Sequence, residues 1–260
     1  MKDVASETDA RGIELERVGI RDLHLPVRIR EKDGGYARVL GRVEASVGLP
    51  EVQRGTHMSR FVAILSSWSK RSVSLDVMED SLERIISDFS APAARILLTF
   101  KYFLPKVAPA SGQVSQLDYD CSFEGSIEDG KFRFLLGVAV PIITLCPCSK
   151  EISDRGAHSQ RAMLSVRVNC RSGVILWLED LVPMLEAQGS CEIFALLKRS
   201  DEKLVTEKAY DNPKFVEDVV RDTILALKEK SEVVGCSTEC ESFESIHNHT
   251  AYAYAQYGDI

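Results

Sequence analysis

Two thiols and an imidazole stand close together in residues 144–161, TLCPCSKEISDRGAHSQR. Cys146 and His158 are one loop apart, which lets a sulfur and a ring nitrogen converge on one metal ion without a single helix presenting both. A thiol beside a metal or a basic group ionises readily, and the thiolate is both ligand and nucleophile. Pro147, between Cys146 and Cys148, turns the chain away from the apolar run just upstream. Two packed thiols and a surface imidazole also fit these residues, so the segment marks a candidate metal or catalytic site and no more.

Three further stretches carry groups of the same kind. In 201–210, DEKLVTEKAY, read as a polar loop, Glu202 can complete a shell begun by Cys and His, because catalytic sites commonly take three protein ligands and keep one position for water. In 215–218, FVED, Glu217 or Asp218 stands near a helix start, where the dipole favours negative charge. A carboxylate can also accept two hydrogen bonds from the N–H edge of a purine. In 244–250, ESIHNHT, read as part of the last strand, His247 and His249 have the spacing that sends both side chains to one face. With Glu244 beside them they are poor core material, since each needs a partner when buried. An imidazole near neutral pH either ligates a metal or transfers a proton. Ser59 and Arg60 stand near the start of a helix expected over 61–68, where free N–H groups attract anions. The simpler reading, which the residues alone favour, is that Thr56 or Ser59 caps the helix and Arg60 is solvated.

The elements that must position these groups follow from periodicity. Alternation over 23–30 and 37–47, around Asp33-Gly34-Gly35, predicts a hairpin. Residues 61–68 and 74–89 predict helices, the second with Leu75, Met78, Leu82, Ile85, Ile86 and Phe89 at helical spacing. Strands are expected at 94–104 and 114–127. The apolar run 132–143 and the alternating 162–170 flank the Cys/His segment. Helices are expected at 177–187 and 213–230, the latter introduced by Asn212-Pro213, and closing strands at 232–236 and 242–254. The order strand, strand, helix, helix, strand, strand thus occurs twice, in 21–128 and 129–260, behind a flexible arm of residues 1–20. Antiparallel strand pairs with helices on one face make an α+β protein.

Composition narrows the function classes. A chain of 260 residues with 45% hydrophobic and 27% charged residues is globular. Its net charge of -7 argues against an extended nucleic-acid surface. Seven cysteines, an odd number, and the polar start MKDVASETDARG point to a reducing cytoplasm rather than a disulfide framework. No apolar run approaches the ~20 residues that span a bilayer. Phosphate loops, dinucleotide fingerprints, paired CxxC zinc units and serine nucleophile elbows are all missing.

Taken together, GTHMSRF at 55–61, CPCSK at 146–150, GAHSQR at 156–161, NPKFVED at 212–218 and the stretch 242–251 resemble prokaryotic GTP cyclohydrolase I of type IB, in the tunnelling-fold superfamily. The resemblance implies conversion of GTP and water to 7,8-dihydroneopterin triphosphate and formate, the entry to folate-type pterins. It implies two tandem ββααββ units whose antiparallel sheets form a barrel in the oligomer, a homotetramer with active sites between subunits. It implies Cys146, His158 and Glu202 as the residues of a divalent metal site, whose mixed soft and hard donors suit Zn²⁺, Mn²⁺ or Fe²⁺. Glu217 is then the carboxylate that anchors guanine, and His247, with Glu244, His249 and Cys148 around it, the proton-transfer group. Ser59, Arg60, Lys150 and Arg161 become triphosphate contacts. No nucleic-acid or membrane partner is implied. Two other readings share parts of this pattern: a tunnelling-fold nitrile reductase with a nucleophilic Cys, and a non-catalytic structural-zinc or redox protein.

Overall fold

In the computed structural model, which describes residues 5, 7–171 and 173–260, the chain divides into two compact units. The first runs to Lys101 and takes in Ser122–Leu135; the second comprises Tyr102–Cys121 and Leu136–Ile260.

In the first unit β1 (Leu15–Arg30) and β2 (Tyr36–Leu49) form the expected hairpin, Arg30 opposite Tyr36. Gly34, at φ +92°, makes the turn that a side chain would strain. The alternation buries Val27 and Ile29 on β1, and Val43, Ala45 and Val47 on β2. α1 (Met58–Leu65) and α2 (Leu75–Phe89) pack through Phe61 and Phe89, whose ring centroids lie 4.3 Å apart. Ser74 caps α2 by accepting the Val77 N–H, and the indole of fully buried Trp68 donates to Ser81 at 2.9 Å. The short β3 (Ser72–Val73) pairs parallel to β1, and β4 (Ala93–Val107) pairs antiparallel to β2. In the segment expected as an arm, Ala5 and Glu7 accept backbone N–H groups from Gly55 and Arg54 at 3.1 Å each, and β1 begins already at Leu15.

β5 (Val114–Glu128) and β6 (Lys131–Leu145) contribute residues to both units. The second continues with α3 (Pro147–Ile152), β7 (Ser159–Cys170), α4 (Leu178–Glu186), β8 (Cys191–Glu192), α5 (Arg199–Asp211), α6 (Val216–Lys228), β9 (Val233–Ser242) and β10 (Ala251–Gly258). Its core takes Leu181, Val182 and Leu185 from α4, Val219, Val220 and Leu227 from α6, and Leu164, Val166 and Val168 from β7, each 3% exposed or less. Burying one such side chain is worth about 1.5–3 kcal/mol, which is what holds helices this short in place.

Several expectations need correction. Helices and antiparallel strands are both present, but the expected α+β tunnelling fold, two tandem ββααββ units closing into a barrel, does not describe the chain. Among the described residues ten strands lie in one mixed sheet, ordered β10-β9-β7-β6-β5-β4-β2-β1-β3 with β8 beside β6, and the path does not return to its start. Two-residue strands, too short for any periodic signal, break the repeat: β3 adds a parallel edge, and β8 is inserted between α4 and α5. The second half also carries two helices where the polar sequence predicts loop. α3 forms because Pro147 sits at its first position with Cys146 as cap. α5 forms over 199–211 because Asp201, fully buried, accepts the backbone N–H of Lys198, Ala110 and Ser111 at 2.7–2.8 Å. Its remaining buried positions are only Val205 and Ala209, too few to show in the sequence.

Candidate functional site

The Cys/His segment lies where β6 ends and β7 begins. The Cys146 backbone N–H donates to the His158 carbonyl at 3.1 Å, and the His158 N–H donates to Ser149 Oγ at 3.2 Å. Cys146 Sγ, half-buried, accepts the Ser149 N–H at 3.4 Å. Thiol and imidazole are therefore held in one loop by three bonds that all involve the first turn of α3 or the residue that caps it.

Behind the imidazole, strand neighbours supply a run of polar side chains. His158 Nδ1 lies 2.9 Å from Gln160 Oε1 and 3.8 Å from Glu244 Oε2. Gln160 Nε2 donates to Thr144 Oγ1 and to Glu244 Oε1, at 3.3 Å each, and Ser242 Oγ donates to the same Glu244 oxygen at 2.8 Å. β6, β7 and β9 are adjacent in the sheet, and Ala162 stands opposite Ser242, so Thr144, Gln160 and Ser242 meet at the strand ends. Thr144 and Ser242 are 2% and 1% exposed, so their hydroxyls are committed to this network.

The start of α6 is anchored to the same end of β6. The Lys214 N–H donates to the Leu145 carbonyl at 3.1 Å, while Asn212 Nδ2 donates to the carbonyls of Gly189 at 3.1 Å and Ser190 at 3.3 Å. The two carboxylates of FVED then separate in role. Asp218 accepts the Phe215 N–H at 3.0 Å and so caps the helix, whereas Glu217 is exposed. Glu217 is near enough to act on Cys240, whose thiol is pushed up to about 12, by burial first and by this negative charge second.

A profile of the type I GTP cyclohydrolase FolE2 family matches residues 1–253. The chain belongs to that family. Relatives within it include the GTP cyclohydrolase FolE2 of Thiobacillus denitrificans, 46% identical over 257 residues, covering 99% of this chain and 94% of that protein. The GTP cyclohydrolase FolE2 of Nitrosomonas eutropha is 47% identical over 252 residues, covering 96% and 93%. Among solved structures, the uricase of Arthrobacter globiformis superposes with a TM-score of 0.58 at 8% identity, covering 94% of this chain and 93% of that one. The Bacillus fastidious uricase does so at 0.52 and 7%, covering 94% and 93%. These likenesses show the fold alone, and it is this uricase-like sheet that replaces the expected tandem barrel.

The other residues singled out in this family member are dispersed. Glu202 is exposed on α5, and Cys148 is exposed on α3. Among the described residues, no group of three or more His, Cys, Asp or Glu side chains is gathered closely enough to hold a metal ion. His247 and His249 lie in the β9–β10 connection and not in a strand; their rings stack, centroids 5.0 Å apart at 14°. Glu244, expected beside them, contacts His158 and Gln160 instead. Lys150 Nζ donates to the Tyr210 carbonyl and lies 4.2 Å from the Tyr210 ring centroid. Arg161 is exposed, its carbonyl accepting the Phe243 N–H at 2.9 Å. Ser59 and Arg60 belong to the first unit, on the exposed face of α1. The Arg60 guanidinium donates to the Asp88 carbonyl at 2.7 Å, and α1 has no side-chain cap, so capping does not account for Ser59. Thr144, Gln160 and Ser242 lie inside stretches singled out above, yet nothing in the sequence assigns them a role. Their signal was a polar residue at the end of each of three neighbouring strands, visible only once the strand order is known.

Proposed function

We propose that this chain converts GTP and water to 7,8-dihydroneopterin triphosphate and formate, the first step toward folate-type pterins. The observation that carries the reading is family membership along almost the whole chain at 44–47% identity to GTP cyclohydrolases. Cys146 and His158, already held in one loop, would hold one divalent ion, Zn²⁺, Mn²⁺ or Fe²⁺, with Glu202, which the single chain does not gather beside them, as the third ligand once the site closes. The half-buried thiol and an imidazole whose Nδ1 is already engaged by Gln160 suit such an ion. When bound, the ion supplies Lewis acidity that lowers the pKa of water toward neutrality.

The protein's own groups account for the rest. Glu217, exposed at the first turn of α6, accepts the two N–H groups of the guanine edge and fixes the base. His247, with His249 stacked against it, delivers a proton to the purine ring nitrogen as the imidazole-ring C–N bond breaks. Cys148, exposed on α3, completes the acid/base set, and Arg60, Lys150 and Arg161 supply positive charge, with Ser59 a hydroxyl donor, for the triphosphate. Several of these groups are exposed in the single chain, which suits sites completed between subunits of a homotetramer. Among the described residues no helix is long and apolar enough to cross a membrane, and a cytoplasmic location fits a GTP-consuming reaction.

The test is to incubate metal-free protein with GTP, with and without Mn²⁺ or Zn²⁺, following formate release and the fluorescence of the oxidised pterin. Both products should appear only with metal, and Cys146→Ala should abolish them. Formate without pterin would mean a hydrolase that stops at ring opening; neither product from a folded protein would overturn the reading.

A further inference from the structure

We propose that Gln160 is a positioning residue that locks His158 in the tautomer with its proton on Nδ1 and its lone pair on Nε2, through an amide whose orientation Glu244 dictates. The inference deepens the reading of His158 as a metal ligand and rests on that reading only for its consequence, not for the geometry.

The orientation follows from what each atom can do. Glu244 Oε1 takes the Ser242 hydroxyl at 2.8 Å and faces Gln160 at 3.3 Å. An ionised carboxylate only accepts, so the Gln160 atom facing it must be the donor, the amide nitrogen. The same nitrogen reaches Thr144 Oγ1 at 3.3 Å. Gln160 Oε1 is thereby turned to the other side, where it meets His158 Nδ1 at 2.9 Å and the Ser245 hydroxyl at 3.4 Å. A carbonyl oxygen only accepts, so Nδ1 must carry the proton, and Nε2 is left as the nitrogen able to bind a cation.

The carboxylate itself is not the group that holds the ring, because Glu244 Oε2 is 3.8 Å from Nδ1, beyond hydrogen-bond reach. It acts one residue removed, through the amide. The network is also shielded, with the His158 and Glu244 side chains 15% and 12% exposed, so water competes poorly for either end. This places Glu244 in the orienting of His158 rather than beside the stacked pair His247 and His249.

The proposal is tested on metal-free protein labelled with ¹⁵N-histidine, using two-bond ¹H–¹⁵N correlation at pH 8 and assigning His158 by the signal lost in His158→Gln. Wild type should show the Nδ1–H pattern. Gln160→Met, similar in volume but with no acceptor, should lose it, and its Kd for Mn²⁺ or Zn²⁺ should weaken about 10–100-fold. Glu244→Gln leaves the Gln160 side chain in place but removes the obligatory acceptor, so a mixture of tautomers is expected. Nε2–H in wild type, or an undisturbed Nδ1–H pattern in Gln160→Met, overturns the proposal; should Gln160→Met fail to fold, wild type and Glu244→Gln decide it. The spectrum requires neither metal nor GTP. Failure of the cyclohydrolase assay therefore leaves the tautomer result standing, and an active enzyme with Nε2–H sinks this proposal alone.

Discussion

Replacing Glu186 by leucine should destabilise the fold by about 3–4 kcal/mol, and replacing its partner as well should restore most of the loss. Glu186 closes α4 at 3% exposure and accepts Lys106 Nζ at 2.6 Å and the Tyr119 hydroxyl at 2.8 Å. Tyr119 is fully buried, and its phenol is pushed far up, by burial first and then by the Glu186 bond, so it stays a donor at every working pH. Leucine leaves an ammonium and a phenol without their carboxylate partner. Removing one partner of a buried pair costs about 3–5 kcal/mol, and an orphaned hydroxyl about 1–3 kcal/mol. Two features pull the total of about 4–8 kcal/mol to its lower end or just below it, about 3–4 kcal/mol. Lys106 and Glu186 line a cavity of about 450 Å³ through which water can reach the ammonium, and Lys106 Nζ also lies 4.8 Å from the Phe194 ring centroid. With roughly 2–4 °C per kcal/mol for a chain of this size, Tm should fall by roughly 6–16 °C at fixed protein concentration. In Glu186→Leu/Lys106→Met only the phenol remains unpaired, and the loss should shrink to about 1–2 kcal/mol, because apolar groups replace a buried ion pair at little cost. Urea unfolding followed by circular dichroism reads both. A single variant within ~1 kcal/mol of wild type, or a double variant as unstable as the single, would refute the reasoning.

Glu217→Ala removes two charge-assisted bonds to guanine under the proposed function, so kcat/KM for GTP should fall by about 10²-fold or more with metal content unchanged; metal loss in that variant would show its role to be misassigned. Native protein treated with iodoacetamide at pH 8 should label exposed Cys148 first, whereas Cys240, pushed up to about 12, and Cys191, pushed up to about 11, both chiefly by burial, stay protonated. Mass spectrometry finding Cys240 alkylated before unfolding would contradict this. For Asp201, burial alone would raise the carboxyl, but the Ser111 hydroxyl and the N–H groups of Lys198, Ser111 and Ala110 outweigh it and hold the group well below the usual carboxylate range. A folded pKa below the unfolded one gives stability that is present above about pH 4 and lost as pH falls through the folded value. Asp201→Asn should therefore be less stable than wild type at pH 7, with the gap closing in acid; a pH-independent gap in urea midpoints would falsify the assignment.

What was legible in the sequence is what periodicity records. The helices over Leu75–Phe89 and Val216–Lys228 emerged with ends close to those expected, since their apolar residues fall on one face over several turns, and the hairpin around Asp33-Gly34-Gly35 emerged too, though its first strand begins at Leu15, eight residues before the alternation that predicts it. The strands β4 to β7 are legible from alternation or, for β6, from a continuous apolar run. α5 was missed because a buried carboxylate, not an apolar stripe, fastens it: Asp201 reads as a surface charge until Ala110 and Ser111 arrive from 90 residues away. The repeat was misjudged because β3 and β8 contain two residues each, below what any pattern can show.

The candidate site divides along the same line. Cys146 and His158 were legible because their types are scarce and their spacing is a loop, and the backbone bond between them makes that spacing a contact. Glu217 and Asp218 were adjacent and chemically alike, and only the capping bond from Phe215 to Asp218 separates them. Glu202 reads as a loop residue in the sequence, yet it is the helical neighbour of buried Asp201; successive residues on a helix point about 100° apart, so with Asp201 inward Glu202 is turned off the buried face and is exposed. Gln160 stands in the GAHSQR stretch without a legible role, because an amide has no scarcity and no pattern of its own. Its meaning comes from having an obligate acceptor on one side and an imidazole on the other, a relation between three strands that no single stretch of chain contains.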